Sequence, residues 1–338
     1  PMHQSKENRI GAFAAARGAP RGPVRLKGDA SVRAFYRVFL PAGSAVAMTR
    51  DEPIPEEDRV FIEIRDRLAA CGVPVPEIYD WDRENGIVLM EDFGDVTLEE
   101  RLAAAGQEER RRLYRLAVDE LLKIQILGTA IRGDSVALRR AFDEEKLVEE
   151  LDYFLLHAVE GHYGAAPSPG EREEIRSGFA ELSRRIASLP RVLNHRDYHS
   201  RNLMVVGGRL GIVDFQDARM GPCQYDLASL LRDSYSALDS AFRREMAEYY
   251  LDASRGLGMV WRDRAEFMER LDLAALQRNL KACGTFCAMA VIRGNRRYIP
   301  CLDPTFAYVR ENAPRFPFMD GCMRALARHV PPLRGGGV

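Results

Sequence analysis

One loop and the hairpin that follows it constrain this chain more than any other part of the sequence. The run HRDYHSRN occupies residues 195–202, and two short apolar runs follow it around a Gly-Gly turn. These runs, at 203–206 and 210–213, have the length of paired strands, and the second leads directly into Asp214. A solvated polar loop does not require an Asp five positions before an Asn and another Asp at the end of the next hairpin.

These residue types suit phosphoryl transfer. Asp197 can accept or orient the proton of an attacking hydroxyl, while Asn202 in the same loop can offer an amide oxygen to a metal ion. Asp214, at the end of the hairpin, completes the predicted metal site. Metal must neutralise charge on the phosphate oxygens while the acceptor oxygen is held in line. We therefore expect Asp197 to be catalytic, Asn202 and Asp214 to bind Mg²⁺, and ATP to be the phosphoryl donor.

The motifs resemble those of the aminoglycoside phosphotransferase and choline kinase superfamily, whose members share the protein-kinase fold but phosphorylate small molecules. Within it, they are similar to the anomeric sugar kinases that act on N-acetylmuramate and N-acetylglucosamine in cell-wall recycling. The resemblance spans about three quarters of the chain. It rests on HRDYHSRNLM at 195–204, DFQDA at 214–218, GP at 221–222, YDLASLLRD at 225–233, GDAS at 28–31 with Arg33, Tyr36 and Arg37, and LQRNLK at 276–281.

The resemblance implies roles for single residues and for the fold. Asp197 would be the base or hydroxyl-orienting group, and Asn202 and Asp214 the metal ligands. Asp226 would be a buried anchor for the catalytic loop, although a solvated carboxylate at a helix start is the alternative. The implied fold class is α+β, a protein-kinase-like two-lobed fold with a small β-rich N-terminal lobe and a larger helical C-terminal lobe.

The pattern along the chain fits that division. Residues 24–92 contain short β-prone runs and one amphipathic helix, and we expect them to form the N-terminal nucleotide-binding lobe. Residues 93–334 are mostly helical and would contain the catalytic loop and the acceptor site, with a long helix at 262–291 that breaks near Asp272. Residues 1–23 are rich in Gly, Ala and Arg, and we expect a flexible or irregular extension there.

Two segments are predicted to bind the nucleotide. A turn between two β-prone runs can cover phosphates with its backbone N–H groups, because glycine permits close approach. An ordinary hairpin connection is the alternative for this turn. The connector after the last β-prone run should offer backbone groups of Glu91 and Phe93 to the adenine edge. The residues of the predicted phosphate turn are Gly28, Asp29, Ala30 and Ser31.

The sequence departs from the broader kinase pattern in the third predicted strand. Thr49 stands where a phosphate-binding lysine is expected. Arg50 is one residue further and, by strand alternation, should face the other way. Lys27 or Arg33, near the phosphate turn, is therefore the predicted substitute, and Arg33 is included among the nucleotide-binding residues.

The acceptor must lie against Asp197, so its binding residues are sought on or just after the catalytic loop. For two of the candidates, His199 and Asp233, hydrogen bonding within the loop or helix is an equal alternative. For a third, Arg201, the alternative is a surface or structural salt bridge. The predicted acceptor-binding residues are His199, Arg201, Gln216, Asp217 and Asp233.

A basic stretch lies in the helical region expected to border the acceptor. Residues 255–298 contain nine Lys or Arg against four Asp or Glu. Arg278 and Lys281, three positions apart, could present charge on a shared helix face. The sign favours an anionic or neutral sugar over a cationic aminoglycoside, and a solvated helix face is the alternative.

Composition excludes several partners. Forty-nine basic residues nearly cancel fifty acidic ones, so no global field draws the chain to nucleic acid or to a membrane surface. No apolar stretch approaches the roughly 20 residues that span a bilayer. The six cysteines lack paired spacing, which argues against structural zinc and a disulfide framework. We expect a cytoplasmic enzyme, a monomer or homodimer, whose partners are a nucleotide and a small-molecule sugar.

The leading interpretation is an ATP-dependent kinase that transfers the γ-phosphate to a sugar hydroxyl, the anomeric one of N-acetylmuramate or N-acetylglucosamine. One alternative is an aminoglycoside, choline or homoserine kinase of the same superfamily, which an acidic or aromatic acceptor pocket would distinguish. Another is a catalytically inactive nucleotide-binding scaffold, which only the missing lysine favours. Retention of Asp197, Asn202 and Asp214 argues against a scaffold, because a scaffold needs no magnesium ligands.

Overall fold

The computed structural model of the chain describes residues 6–26, 33–50, 54–259 and 263–334. Lys27 and the predicted phosphate turn, Gly28 to Ser31, lie outside the described residues. The chain divides into two units. Strands dominate the first and helices the second, so the predicted α+β class is confirmed. The first unit comprises Pro1–Val96 and Met204–Gln216, and the second comprises Thr97–Leu203 and Asp217–Val338.

The strands of the described residues form three antiparallel sheets. They are β1 (Val24–Arg25), β2 (Ala34–Leu40), β3 (Gly43–Thr49), β4 (Ile78–Asp82), β5 (Ile87–Glu91), β6 (Arg191–Asn194), β7 (Leu203–Val206), β8 (Arg209–Ile212) and β9 (Arg219–Pro222). The five-stranded sheet of the first unit has the order β1-β2-β3-β5-β4. The other two sheets pair β6 with β9 and β7 with β8.

The helices account for most of the second unit. Within the described ranges, none combines the length and apolar character that crossing a membrane requires. Two π-helical turns, Lys123–Leu127 and Leu155–His162, continue the fourth and seventh helices. The α-helices are α1 (Lys6–Ala15), α2 (Pro55–Ala70), α3 (Leu98–Ala104), α4 (Gln107–Leu122), α5 (Gly128–Ala130), α6 (Val136–Arg139), α7 (Glu144–Phe154), α8 (Pro169–Ala187), α9 (Gln224–Leu231), α10 (Ser240–Gly256), α11 (Arg264–Arg293), α12 (Leu302–Asn312) and α13 (Asp320–His329).

The N-terminal segment differs from the expected flexible or irregular extension. Its helix α1 buries Ile10, Phe13 and Ala14 against residues of the five-stranded sheet. The Arg9 guanidinium donates hydrogen bonds to the carbonyl oxygens of Arg50 and Asn85. The segment has few large apolar residues, so its sequence shows little helical periodicity. Helix α1 is stabilised by packing on the sheet, which the sequence pattern does not indicate.

The β7–β8 hairpin joins the first unit, although we predicted it for the second. Its Ile212 N–H donates to the carbonyl oxygen of Pro74 at 2.7 Å. At Gly211, a Cβ atom would lie 2.5 Å from the ring of Phe93, so only glycine permits this close packing. The boundary between the units accordingly falls after Val96 instead of after residue 92.

Helix α11 is the long central helix of the second unit, and it packs against α7, α9 and α12. At Gly284, a Cβ atom would lie 2.7 Å from the Cα atom of Phe154, so α11 and α7 approach closely. The predicted break near Asp272 is wrong. The buried Asp272 carboxylate pairs with Arg232 and Arg315, so tertiary contacts satisfy a charge that would otherwise disfavour a continuous buried helix.

Candidate active site

Two buried carboxylates, from α9 and the turn after it, hold the predicted catalytic loop, residues 195–202. Asp226 accepts hydrogen bonds from the backbone N–H groups of His195 at 2.5 Å and Arg196 at 2.9 Å. Asp233 accepts from the N–H of Ser200 at 2.9 Å. The loop is thus held on both sides of Asp197. These contacts give Asp226 and Asp233 a structural role in the loop, and for Asp233 they are the hydrogen bonding that we kept as the alternative to acceptor binding.

The loop's dependence on Asp226 gives a first prediction. Burial raises the pKa of this carboxyl to about 7, although the two N–H donors act in the opposite direction. In Asp226→Asn, one oxygen still accepts one N–H, but the new NH₂ group faces the other donor. We expect the free energy of unfolding to fall by about 1–3 kcal/mol, the cost of an unsatisfied buried donor. Urea denaturation measures this loss.

The matched control is Asp252→Asn, because Asp252 lies on the exposed side of α10 and makes a surface ion pair with Arg255. That variant should lose less than about 0.5 kcal/mol. Equal unfolding midpoints for the two variants would show that the loop does not depend on the Asp226 contacts.

Backbone strain marks two positions in or near the predicted site. Arg196 has φ 87° and Asp214 has φ 64°, and no other non-glycine residue in the described part of the chain has a positive φ. An L-residue in this region costs about 1–2 kcal/mol. Such strain gathers at functional sites, where surrounding contacts enforce it. Arg196 is held by ion pairs with Glu150 at 3.2 Å and Asp217 at 3.4 Å.

Asp197 is held at its carboxylate and at its carbonyl. The Nζ atom of Lys281, from the middle of α11, lies 2.8 Å from Asp197 Oδ1. The side-chain amide Nδ2 of Asn202 donates to the Asp197 carbonyl oxygen at 2.9 Å. Burial acts to raise the pKa of Asp197, but Lys281 and then Arg196 outweigh it and hold the pKa well below its usual range. Asp197 is therefore ionised, with an ammonium ion on one oxygen.

His199, two positions after Asp197, is neutral at physiological pH. Burial lowers its pKa to about 3, and the positive charge of Arg278 acts in the same direction. The imidazole packs edge-on against the Tyr235 ring, with 5.1 Å between the ring centres. His199 can act only as a neutral group, so any recognition of the acceptor through it would be by hydrogen bonding.

Asp214 is positioned by residues of its own unit. The Gln216 Nε2 atom donates to Asp214 Oδ1 at 2.8 Å. Phe215 stacks on Phe61 of α2, with 4.9 Å between the ring centres. Gln216 therefore orients Asp214, a contact different from the acceptor-binding role predicted for it.

The predicted metal ligands present suitable atoms for magnesium. Because Asn202 uses Nδ2 within the loop, the atom it can offer to a cation is Oδ1. Asp214 offers carboxylate oxygen. No group of three or more His, Cys, Asp or Glu side chains in the described ranges could hold a metal ion. A pair of oxygen ligands suits Mg²⁺, which commonly takes one or two protein side chains and completes its shell with phosphate oxygens and water.

Arg201 and Asp217 are placed by ion pairs. Arg201 donates to the carboxylate of Glu99 on α3 through Nε at 2.6 Å and Nη2 at 3.0 Å. Its guanidinium carbon lies 3.8 Å from the centre of the Tyr235 ring. The side chain of Asp217 is 45% exposed beside Arg196. The structural salt bridge that we kept as an alternative for Arg201 is thus present.

The expected charged face formed by Arg278 and Lys281 is wrong. Arg278 is 4% exposed and donates to Ser229 Oγ at 3.1 Å and to the Arg232 carbonyl oxygen at 3.3 Å. Lys281 instead contacts Asp197. Other basic residues of the stretch pair with nearby carboxylates, such as Arg270 with Glu266. The local basic excess therefore does not indicate an anionic acceptor.

An ion pair holds residues 91–94, the connector that we predict to bind the nucleotide. Arg37 of β2 donates to both oxygens of Asp92, at 2.5 and 2.9 Å, and Asp92 also accepts from the Gly94 N–H. Phe93 is buried and Glu91 lies 3.7 Å from Arg209. The two side chains thus make their contacts within the first unit. This agrees with the prediction that these residues contact the adenine edge through their backbone groups.

Arg50 faces helix α2. It is buried and pairs with Glu57 and, at 3.5 Å, with Asp58. Burial raises the pKa of Asp58, while the positive charges of Arg50 and Arg33 act against this. Arg33 and Arg50 therefore lie near the same carboxylate, and the two arginines supply positive charge close to the strand that lacks the expected lysine.

Comparison with known proteins places these residues in context. The model of the phosphotransferase enzyme family matches residues 24–267. An N-acetylmuramate/N-acetylglucosamine kinase of Pseudomonas aeruginosa is 30% identical over 300 residues, covering 88% of this chain and 86% of that protein. A kinase of the same name from Pseudomonas putida is 32% identical over 292 residues, covering 86% of this chain and 83% of that protein.

A solved structure resembles the whole fold. An ADP-bound aminoglycoside phosphotransferase superposes with a TM-score of 0.60 at 12% identity, covering 90% of this chain and 97% of that chain. The predicted protein-kinase-like fold is confirmed by this likeness.

Lys281 is the residue beside Asp197 that sequence reasoning misplaced. The available signal was a single lysine in an otherwise apolar run, LKACG at 280–284, within one of the segments on which the resemblance rests.

Proposed function

Because this chain belongs to the phosphotransferase enzyme family, we propose that it is an ATP-dependent kinase that phosphorylates the anomeric hydroxyl of N-acetylmuramate or N-acetylglucosamine. The main support is the pair of Pseudomonas relatives, which are named for these sugars and match more than four fifths of the chain at 30–32% identity. The proposed cofactors are ATP and Mg²⁺, and the proposed location is the cytoplasm, where ATP is available.

The proposed reaction assigns separate tasks to Asp197 of the catalytic loop and to the two carboxylates that hold this loop. Asp197 accepts a hydrogen bond from the acceptor hydroxyl and aims its oxygen at the γ-phosphorus. As the new P–O bond forms and the bond to the β-phosphate oxygen breaks, the hydroxyl proton passes to the carboxylate and ADP leaves. Asp226 and Asp233 hold the loop in the required shape.

The proposed metal ligands are Asn202 and Asp214, which the chain places on either side of the β7–β8 hairpin. Magnesium, when bound, would neutralise charge on the phosphate oxygens. Gln216 keeps Asp214 oriented, and the positive φ of Asp214 turns its side chain in a direction that ordinary strand geometry does not allow. For the nucleotide, the proposed contacts are Arg33 and the backbone of residues 91–93.

A choline-type acceptor is disfavoured by the surroundings of Tyr235. A quaternary ammonium group is recognised through open aromatic faces. The Tyr235 ring lies beside His199 of the catalytic loop, but the chain's own Arg201 is stacked over it at 3.8 Å. The Tyr235 ring beside the loop therefore already carries a cation from the chain itself, and a neutral or anionic sugar is a more suitable acceptor there than choline.

A substrate panel tests this proposal directly. With ATP and magnesium, we expect phosphate transfer to both N-acetylated sugars, and transfer to kanamycin, choline or homoserine at least about 10²-fold slower in kcat/KM, because a site built to pair a polar group rejects analogues that leave it unpaired. ADP release and ³¹P NMR of the product measure the reaction.

The methyl glycoside of N-acetylglucosamine is the matched control substrate, since it lacks only the anomeric hydroxyl. It should not be phosphorylated. Transfer to the glycoside at an undiminished rate would move the reaction to another hydroxyl, and preferential transfer to choline or an aminoglycoside would overturn the proposed acceptor class.

A further inference from the structure

The contact between Lys281 and Asp197 has a feature that family membership does not assign. Lys281 Nζ holds Oδ1 of Asp197 at 2.8 Å, while Oδ2 accepts no hydrogen bond from any described residue. The Asp197 side chain remains 28% exposed, whereas that of Lys281 is 14% exposed. One carboxylate oxygen is therefore occupied from inside the second unit, and the other is available to a ligand.

The position of Lys281 is rigidly defined by its helix. Lys281 lies in the middle of α11, where Leu280, Ala282 and Cys283 around it are buried. In the next turn, Thr285 Oγ1 donates to the Lys281 carbonyl oxygen. An ammonium group on such a support can act as a fixed point for the carboxylate, which a residue on a mobile loop could not provide.

Other cations near Asp197 are committed elsewhere. The guanidinium of Arg196 forms ion pairs with Glu150 and Asp217, and Arg278 donates to Ser229 and to a backbone carbonyl. His199 is neutral. Among the described residues, Lys281 is thus the cation that touches the carboxylate of Asp197.

We propose that Lys281 is the positioning residue of Asp197: it fixes Oδ1 so that Oδ2 is directed at the hydroxyl of the acceptor. This inference rests on the proposed kinase function. During transfer, the acceptor O–H donates to Oδ2, its oxygen bonds to the γ-phosphorus, the proton moves to Oδ2, and ADP leaves with the bridging oxygen. Lys281 takes no part in the proton transfer and acts through the carboxylate.

The kinetic test compares Lys281→Met with Lys281→Arg. Without the ammonium group, the carboxylate can rotate, and misplacement of a reacting group by about 1 Å can cost roughly 10²-fold in rate. We expect kcat of Lys281→Met to fall by about 10²-fold, with the KM for ATP unchanged. Lys281→Arg retains a cation at the same place and should recover part of the loss.

A double substitution separates positioning from general structural damage. If Lys281 acts through Asp197, then Lys281→Met should reduce kcat no further once Asp197 is already Asn. Lys146→Met is the matched control, because Lys146 makes a 2.9 Å ion pair with Glu149 on the surface of α7. Full activity of Lys281→Met, or losses that multiply in the double variant, would overturn the proposal.

A stability cycle distinguishes failure of this inference from failure of the kinase function. Urea unfolding of the wild type, the two single variants and the double variant requires no substrate. The combined loss in unfolding midpoint should be smaller than the sum of the single losses, because each single variant already breaks the same ion pair. Lys281→Gln replaces Lys281→Met if the latter does not fold. Additive losses would overturn the pairing even if sugar phosphorylation is observed, whereas coupled losses would support it even if no sugar is phosphorylated.

Discussion

Replacing Asp197 by Asn should lower kcat by about 10²–10⁴-fold, the usual contribution of a positioned proton acceptor. The amide keeps the shape of the side chain but cannot accept the proton of the acceptor hydroxyl. It also loses the negative charge that Lys281 contacts at 2.8 Å. The affinity for ATP should change little. Steady-state ADP formation gives kcat, and titration with a fluorescent ATP analogue gives the affinity.

Asp252→Asn is the control for this substitution too, since it makes the same chemical change at an exposed position of the second unit. It should keep wild-type kcat and KM. If Asp197→Asn instead loses ATP affinity while turnover at saturating substrate survives, then Asp197 contributes to nucleotide binding and the catalytic assignment is incorrect.

Replacing Asp214 should have an effect of comparable size through a different cause. Asp214→Ala removes a proposed ligand of magnesium, and loss of such charge stabilisation costs about 10²–10³-fold in kcat. Ala would also sit at φ 64°, a strained conformation for an L-residue with no polar side chain. Asp214→Asn avoids that second effect, because asparagine tolerates this conformation and can still accept the hydrogen bond from Gln216.

The pair of Asp214 variants therefore separates charge from backbone strain. Both should lose phosphate transfer, but only Asp214→Ala should also lose about 1 kcal/mol of stability. Asp66→Ala, at an exposed position of α2, is the control in the same unit. A folded Asp214→Asn enzyme with near-normal turnover at physiological magnesium would exclude Asp214 from the metal site.

Several structural elements of this protein could be predicted from local sequence, because they depend on residues that are neighbours along the chain. The hairpin follows from two short apolar runs around a Gly-Gly turn, and β7 has the bounds that these runs predict. Helix α2 follows from an apolar stripe at helical spacing. The assignment of Asp197, Asn202 and Asp214 to one site rests on spacing along the chain and on resemblance to a family, and it stays a prediction.

Local patterns failed where the outcome depended on a partner element. Helix α9 ends at Leu231, and the Asp233 carboxylate after it accepts a hydrogen bond from the backbone N–H of Ser200, a partner that the local pattern does not identify. Helix α1 contains too few large apolar residues to indicate its burial, and the sheet that covers them lies far along the chain. In both places, the contacts of the segment depend on another element that is not adjacent to it along the chain.

The sequence by itself determined which residues are predicted to carry out phosphoryl transfer, because loop spacing and strand alternation are properties of a short stretch of chain. Only the tertiary structure decided what those residues touch. Arg278 and Lys281 are three positions apart on one helix, yet one is buried in a hydrogen-bond network and the other reaches Asp197, which is 84 residues away. Their different roles arise from how α11 packs against its neighbours. Contacts between distant residues depend on the arrangement of several elements at once, and no single-segment pattern contains that information.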